Sequence, residues 1–421
     1  MNIHVALWNV EWATPKSRRA DPIRRIGEKA QPGLLPQETD VLIVGTGPTG
    51  LTIAAQLSQF ADIKTCIVEQ RDDRLLRGQA DVISCRSMEM FQAFGFAERV
   101  LRESYWCSET TFWKPIEHKP GHIARSGRIQ DVEDGLSEMP HTLLNQARVH
   151  DFYLDIMHKS VHALEPNYCR RFVDLTIDRS KDYPVLVRFE RTDEGHKGEI
   201  ESIKARYVVG CDGGGSFVRK KIGAKLEGTD VIQRVQSTYI RAPGLASLLP
   251  GAPAWCYYSV NTRRCGTVFA IDGRETWLVH NHLHPDEPEF DSIDRDQSIR
   301  HILGVDGEFA YDIISKEDWV GRRLLANRFR KGRVFLAGDA AHLWVPYAGY
   351  GMNAGIADAT NLKNCLLLLS QLMDLGLPLV LAVNMADLAA KAGLSIDLKA
   401  LAEELDLPVV LINGRNGFGV P

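Results

Sequence analysis

The residues whose types and spacing can do chemistry fall into three glycine-containing loops, one acid and a short run of histidines. The first loop is Gly45-x-Gly47-x-x-Gly50, in DVLIVGTGPTGLTIAAQL. An apolar strand runs straight into it, and a helix opening on Pro48 and Thr49 follows. Gly45 permits the tight turn, Gly47 lets the backbone approach a pyrophosphate, and Gly50 allows close helix–strand packing. The helix N-terminus favours the anion. A second strand, KTCIVE, ends in Glu69. That acid lies about 20 residues beyond Gly50, where a ribose hydroxyl needs an acceptor. It argues against a 2′-phosphate at this site. The combination reads as a dinucleotide site rather than a glycine-rich turn with a chance acid.

The second loop is CDGGGSFVR, following the apolar strand ARYVVG and carrying Asp212. The third begins where the buried strand RVFLAGD ends in Gly338-Asp339, an acid able to accept hydrogen bonds from a polyol chain. It continues through Pro346-x-x-Gly349-x-Gly351-Met352-Asn353 into the helix AGIADATNL. Small residues there let backbone N–H groups and a helix dipole face a ring that becomes anionic on reduction. His280-x-His282-x-His284 has the donors of a zinc site. Three ligands so close on an extended strand do not readily converge, and no Cys or carboxylate motif completes the set. These histidines read as pocket-lining or surface groups, His280 and His282 sharing one face of the strand, and no metal is expected.

Length and composition set the frame for these loops. A chain of 421 residues suggests two to three domains. Lys and Arg total 50 against 54 Asp and Glu, a net charge of −4, so no basic field points to nucleic acid. The cysteines form no C-x-x-C pair, which suggests neither a disulfide framework nor a cysteine zinc site. The start, MNIHVALWNVEW, lacks a long apolar core, so no secretory signal is expected. The most apolar stretch, Cys365 to Ala386, is interrupted by Gln371, Asp374, Pro378 and Asn384. It reads as a buried helix and strand rather than a membrane span. A cytoplasmic protein without a membrane partner is the expectation.

The text of the chain changes character near residues 38 and 362. A body over 39–362 carries the three loops. Its set of GTGPTG, DGGGSFVR and GDAAHLWVPYAGYGMN resembles the FAD-dependent aromatic hydroxylase family, the group of p-hydroxybenzoate hydroxylase and phenol 2-monooxygenase. The resemblance implies an α/β fold. A Rossmann-like FAD-binding domain (about 39–120, 140–225 and 325–362) would be interleaved with a substrate domain on a mostly antiparallel sheet (about 226–324). It implies FAD, reduced by NADPH or NADH, and oxygen transfer from dioxygen to a small phenolic substrate through a flavin C4a-hydroperoxide. A homodimer is left open.

Carried over by motif, Gly45, Gly47, Pro48, Thr49 and Gly50 would hold the pyrophosphate and Glu69 the adenosine ribose. Gln146, in LLNQARVHDFYLD, would contact the cofactor. Asp212 would sit near the pyrophosphate and the nicotinamide path, and Asp339 near the ribityl or phosphate region. Pro346 and Gly349 to Asn353, with Gly351 and Met352, would lie along the flavin's pyrimidine edge. GQADVISCRSMEMFQAFG is closest to the phenol-hydroxylase branch, and there Asp81 matches an active-site acid. A phenol has a pKa near 10, so its proton needs a base. Asp81 is the candidate, and a solvated loop acid is the bland alternative. Arg274, in TVFAIDGRETWLVHNHL, fits the family's substrate-side arginine, but no tyrosine follows it and Trp277 is nearest. That departure puts phenol itself in doubt.

The two ends depart from the family. MNIHVALWNVEWATP resembles the first strand of the endonuclease/exonuclease/phosphatase family, with Asn9 and Glu38 matching, but its later Asp, Asn and His segments are absent. Residues 363–421 resemble part of the GTPase domain of bacterial ferrous-iron transporters, with the guanine-reading motif at Asn384-Met385-Ala386-Asp387. No G-x-x-x-x-G-K-[ST] phosphate cradle accompanies it. The chain therefore reads as a mosaic. The competing readings are a flavoprotein that oxidises NAD(P)H without hydroxylation, a chain inactive because both ends are replaced, and a guanine-nucleotide-binding module.

Overall fold

The computed structural model describes residues 33–76, 80–105, 109–130, 132, 135–249, 254–287, 289–345, 349–360, 381–383, 395, 397–405 and 409–411. Its contacts divide the chain into two units, Met1–Ile356 and Ala357–Pro421. The division falls a few residues before the one expected from sequence.

Strand β1 (Glu38–Val44) is buried at every position after Glu38, the pattern a parallel strand covered on both faces requires. It pairs in parallel with β2 (Thr65–Val68) and β9 (Ile200–Gly210), and β9 pairs in parallel with β17 (Val334–Leu336). The register sets Val68, Val44, Gly210 and Leu336 side by side. Four strands thus end on one line, and Glu69, Gly45, Cys211 and the Gly338 turn all leave from it. This is the carboxyl edge at which open α/β sheets bind ligands. The short β16 (Arg330–Lys331) and the hairpin of β7 (Arg170–Ile177) and β8 (Val185–Arg191) complete a seven-stranded sheet. Leu42, Val44, Val68, Phe189, Ile203, Val208 and Val334 fill its core. Helix α1 (Pro48–Leu57) buries Leu51, Ile53, Ala54 and Leu57. Its Thr52 hydroxyl donates to Tyr153 Oη of α4 (Gln146–His158) at 2.8 Å. Phe91 of α2 (Cys85–Ala93) and Phe96, just before α3 (Ala97–Glu103), pack around that tyrosine ring.

The second sheet has nine strands. Their order is β18 (His342–Leu343), β15 (Trp319–Ala326), β10 (Leu226–Arg241), β13 (Thr276–His282), β12 (Gly266–Ala270), β11 (Cys256–Ser259), β4 (Glu109–Ile116) and β5 (Lys119–Gln130), with β14 (Asp312–Lys316) also on β10. All its described pairs are antiparallel except β4 with β11. The expected mostly antiparallel substrate sheet is therefore present. One boundary differs from the sequence expectation, which places residues 109–120 in the cofactor part: Thr110 pairs with Cys256, and β4 belongs to the second sheet. β18 likewise joins that sheet through β15.

The two faces of this sheet have different jobs. Trp113, Tyr257, Val268, Trp277 and Val279 pack on Ile299, Ile302 and Leu303 of α6 (Arg295–Leu303). The other face carries Tyr239, Leu278, Phe269 and Cys256, in register across four strands. It meets β3 (Val82–Ile83) and β6 (Thr142–Leu143), a two-stranded pair, through Val82, Leu143, Trp255 and Cys256.

In the second unit, β19 (Leu381–Val383) pairs in parallel with β20 (Val409–Leu411), with α7 (Leu398–Leu405) between them in sequence. This is the αβ reading of the tail in outline. Asn384 to Asp387 lie outside the described residues, as does Asn9. Glu38 is the first residue of β1 and pairs with Lys204 Nζ at 3.0 Å. It starts the cofactor sheet, which leaves the nuclease-like reading of the N-terminus without support. Among the described residues no helix is long and apolar enough to cross a membrane.

Candidate cofactor and active site

The first glycine loop is shaped by contacts at two of its glycines and by open space at the third. Gly45 has φ +107°, and a Cβ there would sit 2.3 Å from the Cys211 carbonyl oxygen. A Cβ on Gly50 would lie 2.1 Å from the Gly45 carbonyl oxygen. A Cβ on Gly47 would meet nothing within 4 Å. Gly47 is also the N-cap of α1, with no side chain capping the helix and Pro48 in its first turn. Unpaired first-turn N–H groups therefore face free space, which suits a phosphate. Gly213 and Gly215 of the second loop also face space empty to 4 Å. The backbone cradle fits a dinucleotide such as FAD.

Glu69 is buried behind this loop. Its Oε2 accepts from Thr46 N at 3.0 Å, Thr46 Oγ1 at 2.6 Å and Arg71 Nη2 at 3.0 Å, and its Oε1 accepts from Arg71 N at 3.0 Å. Burial opposes its charge. The Arg71 guanidinium and the hydrogen bonds from Thr46 and Arg71 outweigh burial and hold the carboxyl below its usual range. Most of its acceptor capacity thus ties the glycine loop to the end of β2, and Oε1 retains room for one further donor.

Asp212 folds back on its own loop. It accepts from Phe217 N at 2.7 Å and Val218 N at 3.1 Å, and from the Ser216 hydroxyl, so it shapes the turn into α5 (Phe217–Lys221). Its place beside the first loop follows from the contact of Cys211 with Gly45. Asp339 is exposed at the end of β17. Thr49 fills a notch between two glycines: a Cβ on Gly338 or on Gly355 would come within 2.4 or 2.3 Å of its hydroxyl oxygen. Gln146 is the first residue of α4, its N–H donating to the Ala80 carbonyl at 2.8 Å.

The third loop is stapled to the strand that carries the candidate acid. Asn353 Oδ1 accepts from Ser84 N at 2.9 Å and Ser87 Oγ at 2.7 Å. Its Nδ2 donates to the carbonyls of Val82 at 3.0 Å and Gly349 at 2.7 Å. The amide is buried and used up in these bonds. Its side chain therefore positions the loop on the strand that carries Asp81. Gly349 has φ +70° and presses on Val82, where a Cβ would come within 2.5 Å of the valine Cβ. Gly351 faces open space and Met352 is buried. Pro346 lies outside the described residues.

Asp81, next to Val82, is 5% exposed. Its Oδ2 accepts the hydroxyl of Tyr239 from β10, and its Oδ1 accepts from Asn145 Nδ2 at 2.9 Å. Asn145 is also the N-cap of α4, its Oδ1 accepting from Ala147 N at 3.1 Å. Asp81 is not a solvated loop acid. Arg274 is exposed in the turn between β12 and β13, its N–H held by Asp272 at 2.9 Å. The tyrosine that does meet Asp81 is Tyr239, from another strand. Sequence reasoning missed Tyr239, which sits in no motif, and Asn145, which stands beside Gln146 in LLNQARVHDFYLD but was passed over. Their only signals are the period-two alternation of RVQSTYIR and a helix-capping asparagine.

His280 and His282 do line a cavity on the Tyr239 face, as read from the sequence, and His284 is exposed. Among the described residues no cluster of His, Cys, Asp and Glu is set to hold a metal.

Comparison with known proteins fits this geometry. The chain is 44% identical over 352 residues to 3-hydroxybenzoate 4-monooxygenase of Comamonas testosteroni, covering 78% of this chain and 54% of the relative. It spans about half the length of the curated relatives it matches. The solved flavin-dependent monooxygenase PieE, in complex with FAD and substrate, superposes with a TM-score of 0.69 at 23% identity, over 80% of this chain and 58% of that one. The substrate-free rebeccamycin biosynthetic enzyme RebC gives 0.66 at 25% identity, over 81% and 64%. These likenesses support the two-sheet fold. A model of the family described as ferrous iron transport protein B matches residues 349–421, so the tail is similar to that family. The model described as FAD binding domain matches residues 38–371, every glycine loop included, and the chain belongs to that family.

Proposed function

We propose that the chain is an FAD- and NAD(P)H-dependent monooxygenase that hydroxylates a small phenolic compound with dioxygen. One observation carries the reading: a buried Asp81–Tyr239 pair stands beside the strand to which Asn353 staples the third glycine loop. The 44% identity to a 3-hydroxybenzoate 4-monooxygenase supports the substrate class. FAD, reduced by NADPH or NADH, supplies the oxygen-transferring chemistry when bound.

The chain's own residues do the rest. Backbone N–H groups at Gly47, Thr49 and Gly50 hold the pyrophosphate. Glu69 offers its remaining Oε1 capacity to the adenosine ribose, and Asp339 accepts from the ribityl or phosphate region. Asp81 takes the phenol proton, directly or by way of the Tyr239 hydroxyl that already donates to it. Burial of both groups excludes water from that transfer. No nucleic-acid or membrane partner belongs to this reading, and the location is cytoplasmic. The overlap of the two family matches across 349–371 supports a mosaic chain.

The test starts from the visible spectrum after reconstitution with FAD. Phenol-accelerated bleaching by NADPH without oxygen, then hydroxylated product in air, is the expected result. Asp81→Asn keeps the flavin spectrum and loses product. No flavin uptake sinks the reading. NADPH oxidation without product replaces it with an uncoupled oxidase. Full product from Asp81→Asn removes the acid from the mechanism.

A further inference from the structure

On the Tyr239 face of the second sheet lies a cavity of about 190 Å³, walled by Phe269, His280, His282, Thr267, Trp319 and Cys265 among others. A cavity of about 150 Å³ is enough for a benzene ring. Its place follows from the strand register. Tyr239 pairs with Leu278, and His280 is the next residue of β13 on that face, about 7 Å further along. The cavity therefore begins one side chain beyond the Asp81–Tyr239 pair.

The walls define what it takes. His280 is packed edge-on between Phe269, with centroids 5.0 Å apart, and Trp319, at 5.5 Å. His282 Nε2 shares a hydrogen bond with Thr267 Oγ1 at 3.1 Å. No Lys, Arg, Asp or Glu is among the lining residues. The nearby Arg264 is committed to both oxygens of Glu287, at 2.7 and 2.8 Å. Burial holds His280 neutral, its pKa pushed down to about 3, with His282 adding to the effect. A neutral imidazole donates one hydrogen bond and accepts another, so it suits a carbonyl or an aryl edge. A carboxylate buried there meets no cation on the wall, and the one positive charge felt at His282, that of Arg264, is already paired with Glu287.

We infer that this cavity is a second subsite, which receives the substrate's substituent away from the reacting hydroxyl and takes an uncharged planar group, an aryl ring or carbonyl, in preference to a carboxylate. The inference rests on the hydroxylase reading for the identity of the ligand. Its test reads the cavity itself, because Cys265 in the wall is an exposed free thiol.

The full chain is alkylated with N-ethylmaleimide in the presence of 3-phenylphenol, 3-hydroxybenzophenone or 3-hydroxybenzoate, and Cys265 modification is read by peptide mass spectrometry. The two uncharged ligands protect Cys265. 3-Hydroxybenzoate needs about tenfold higher concentration, from the cost of burying its charge. His280→Phe keeps protection by 3-phenylphenol and weakens that by 3-hydroxybenzophenone about fivefold, the loss of one hydrogen bond. Equal protection by the benzoate, or none by the uncharged pair, overturns the inference. Hydroxylation of simple phenols without protection of Cys265 refutes the subsite alone. Protection in a chain that takes up no flavin refutes the hydroxylase reading and leaves the subsite standing.

Discussion

Asn353→Ala removes an amide that makes four hydrogen bonds across two segments far apart in sequence. Each buried bond is worth about 1 kcal/mol net, and some of the freed partners regain water, so a loss of about 2–4 kcal/mol is expected. The third loop is then no longer held to Val82, and FAD affinity falls by about tenfold or more, since about 1.4 kcal/mol is one decade. Asn353→Asp sharpens the test. It keeps the shape but places a carboxylate oxygen where Nδ2 faced the carbonyls of Val82 and Gly349. The aspartate is therefore worse than the alanine at pH 7. Protonation restores a donor, and because burial against two carbonyls raises the folded pKa above the unfolded value, the difference narrows as pH falls through the folded pKa and is closed by about pH 4. Urea unfolding followed by fluorescence gives the stabilities, and quenching of FAD fluorescence gives the affinities. An aspartate variant as stable as wild type, or an alanine loss below about 0.5 kcal/mol, refutes the staple.

Further predictions follow from the same contacts. Gly47→Ala leaves apo stability unchanged and weakens FAD binding, whereas Gly45→Ala, with φ +107° and a clash at 2.3 Å, lowers apo stability itself; thermal melts with and without FAD separate the two, and equal behaviour contradicts the cradle. Glu69 is held below its ordinary pKa when folded, so its stabilisation is present above the unfolded value and lost as pH falls through the folded one. Glu69→Gln should lower Tm at pH 7, and the gap should close below about pH 4; a gap independent of pH contradicts the ionic role. His280 acts in the same direction through a wider window: the unfolded chain binds its proton near pH 6.5 and the folded one only near 3, so stability rises with pH between them. His280→Phe should flatten the slope of Tm between about pH 6.5 and 4, and an unchanged slope means that the imidazole is not held neutral.

Legibility from sequence differed by element. The first loop could be read because one short segment carries strand, turn and helix together, and the geometry needs only local rules. The mostly antiparallel sheet came only through the family resemblance, whereas the helix-and-strand reading of the tail came from the residue pattern. β4 was misassigned because its partner β11 lies far along the chain, and pairing register leaves no local mark. Asp81 was found through its motif, but its setting was not.

The sequence by itself determined where backbone must come close: glycines at 45 and 50, which tolerate no Cβ, and an acid at the end of β2. Only the tertiary structure decided what each polar group does once placed. It turned Asp212 and Asn353 inward as turn and staple, spent most of Glu69 on its own loop, and brought Tyr239 to Asp81 across 158 residues. The physical reason is that a buried polar group must find a partner wherever the packed chain supplies one. Strand pairing, not sequence distance, sets which partner that is.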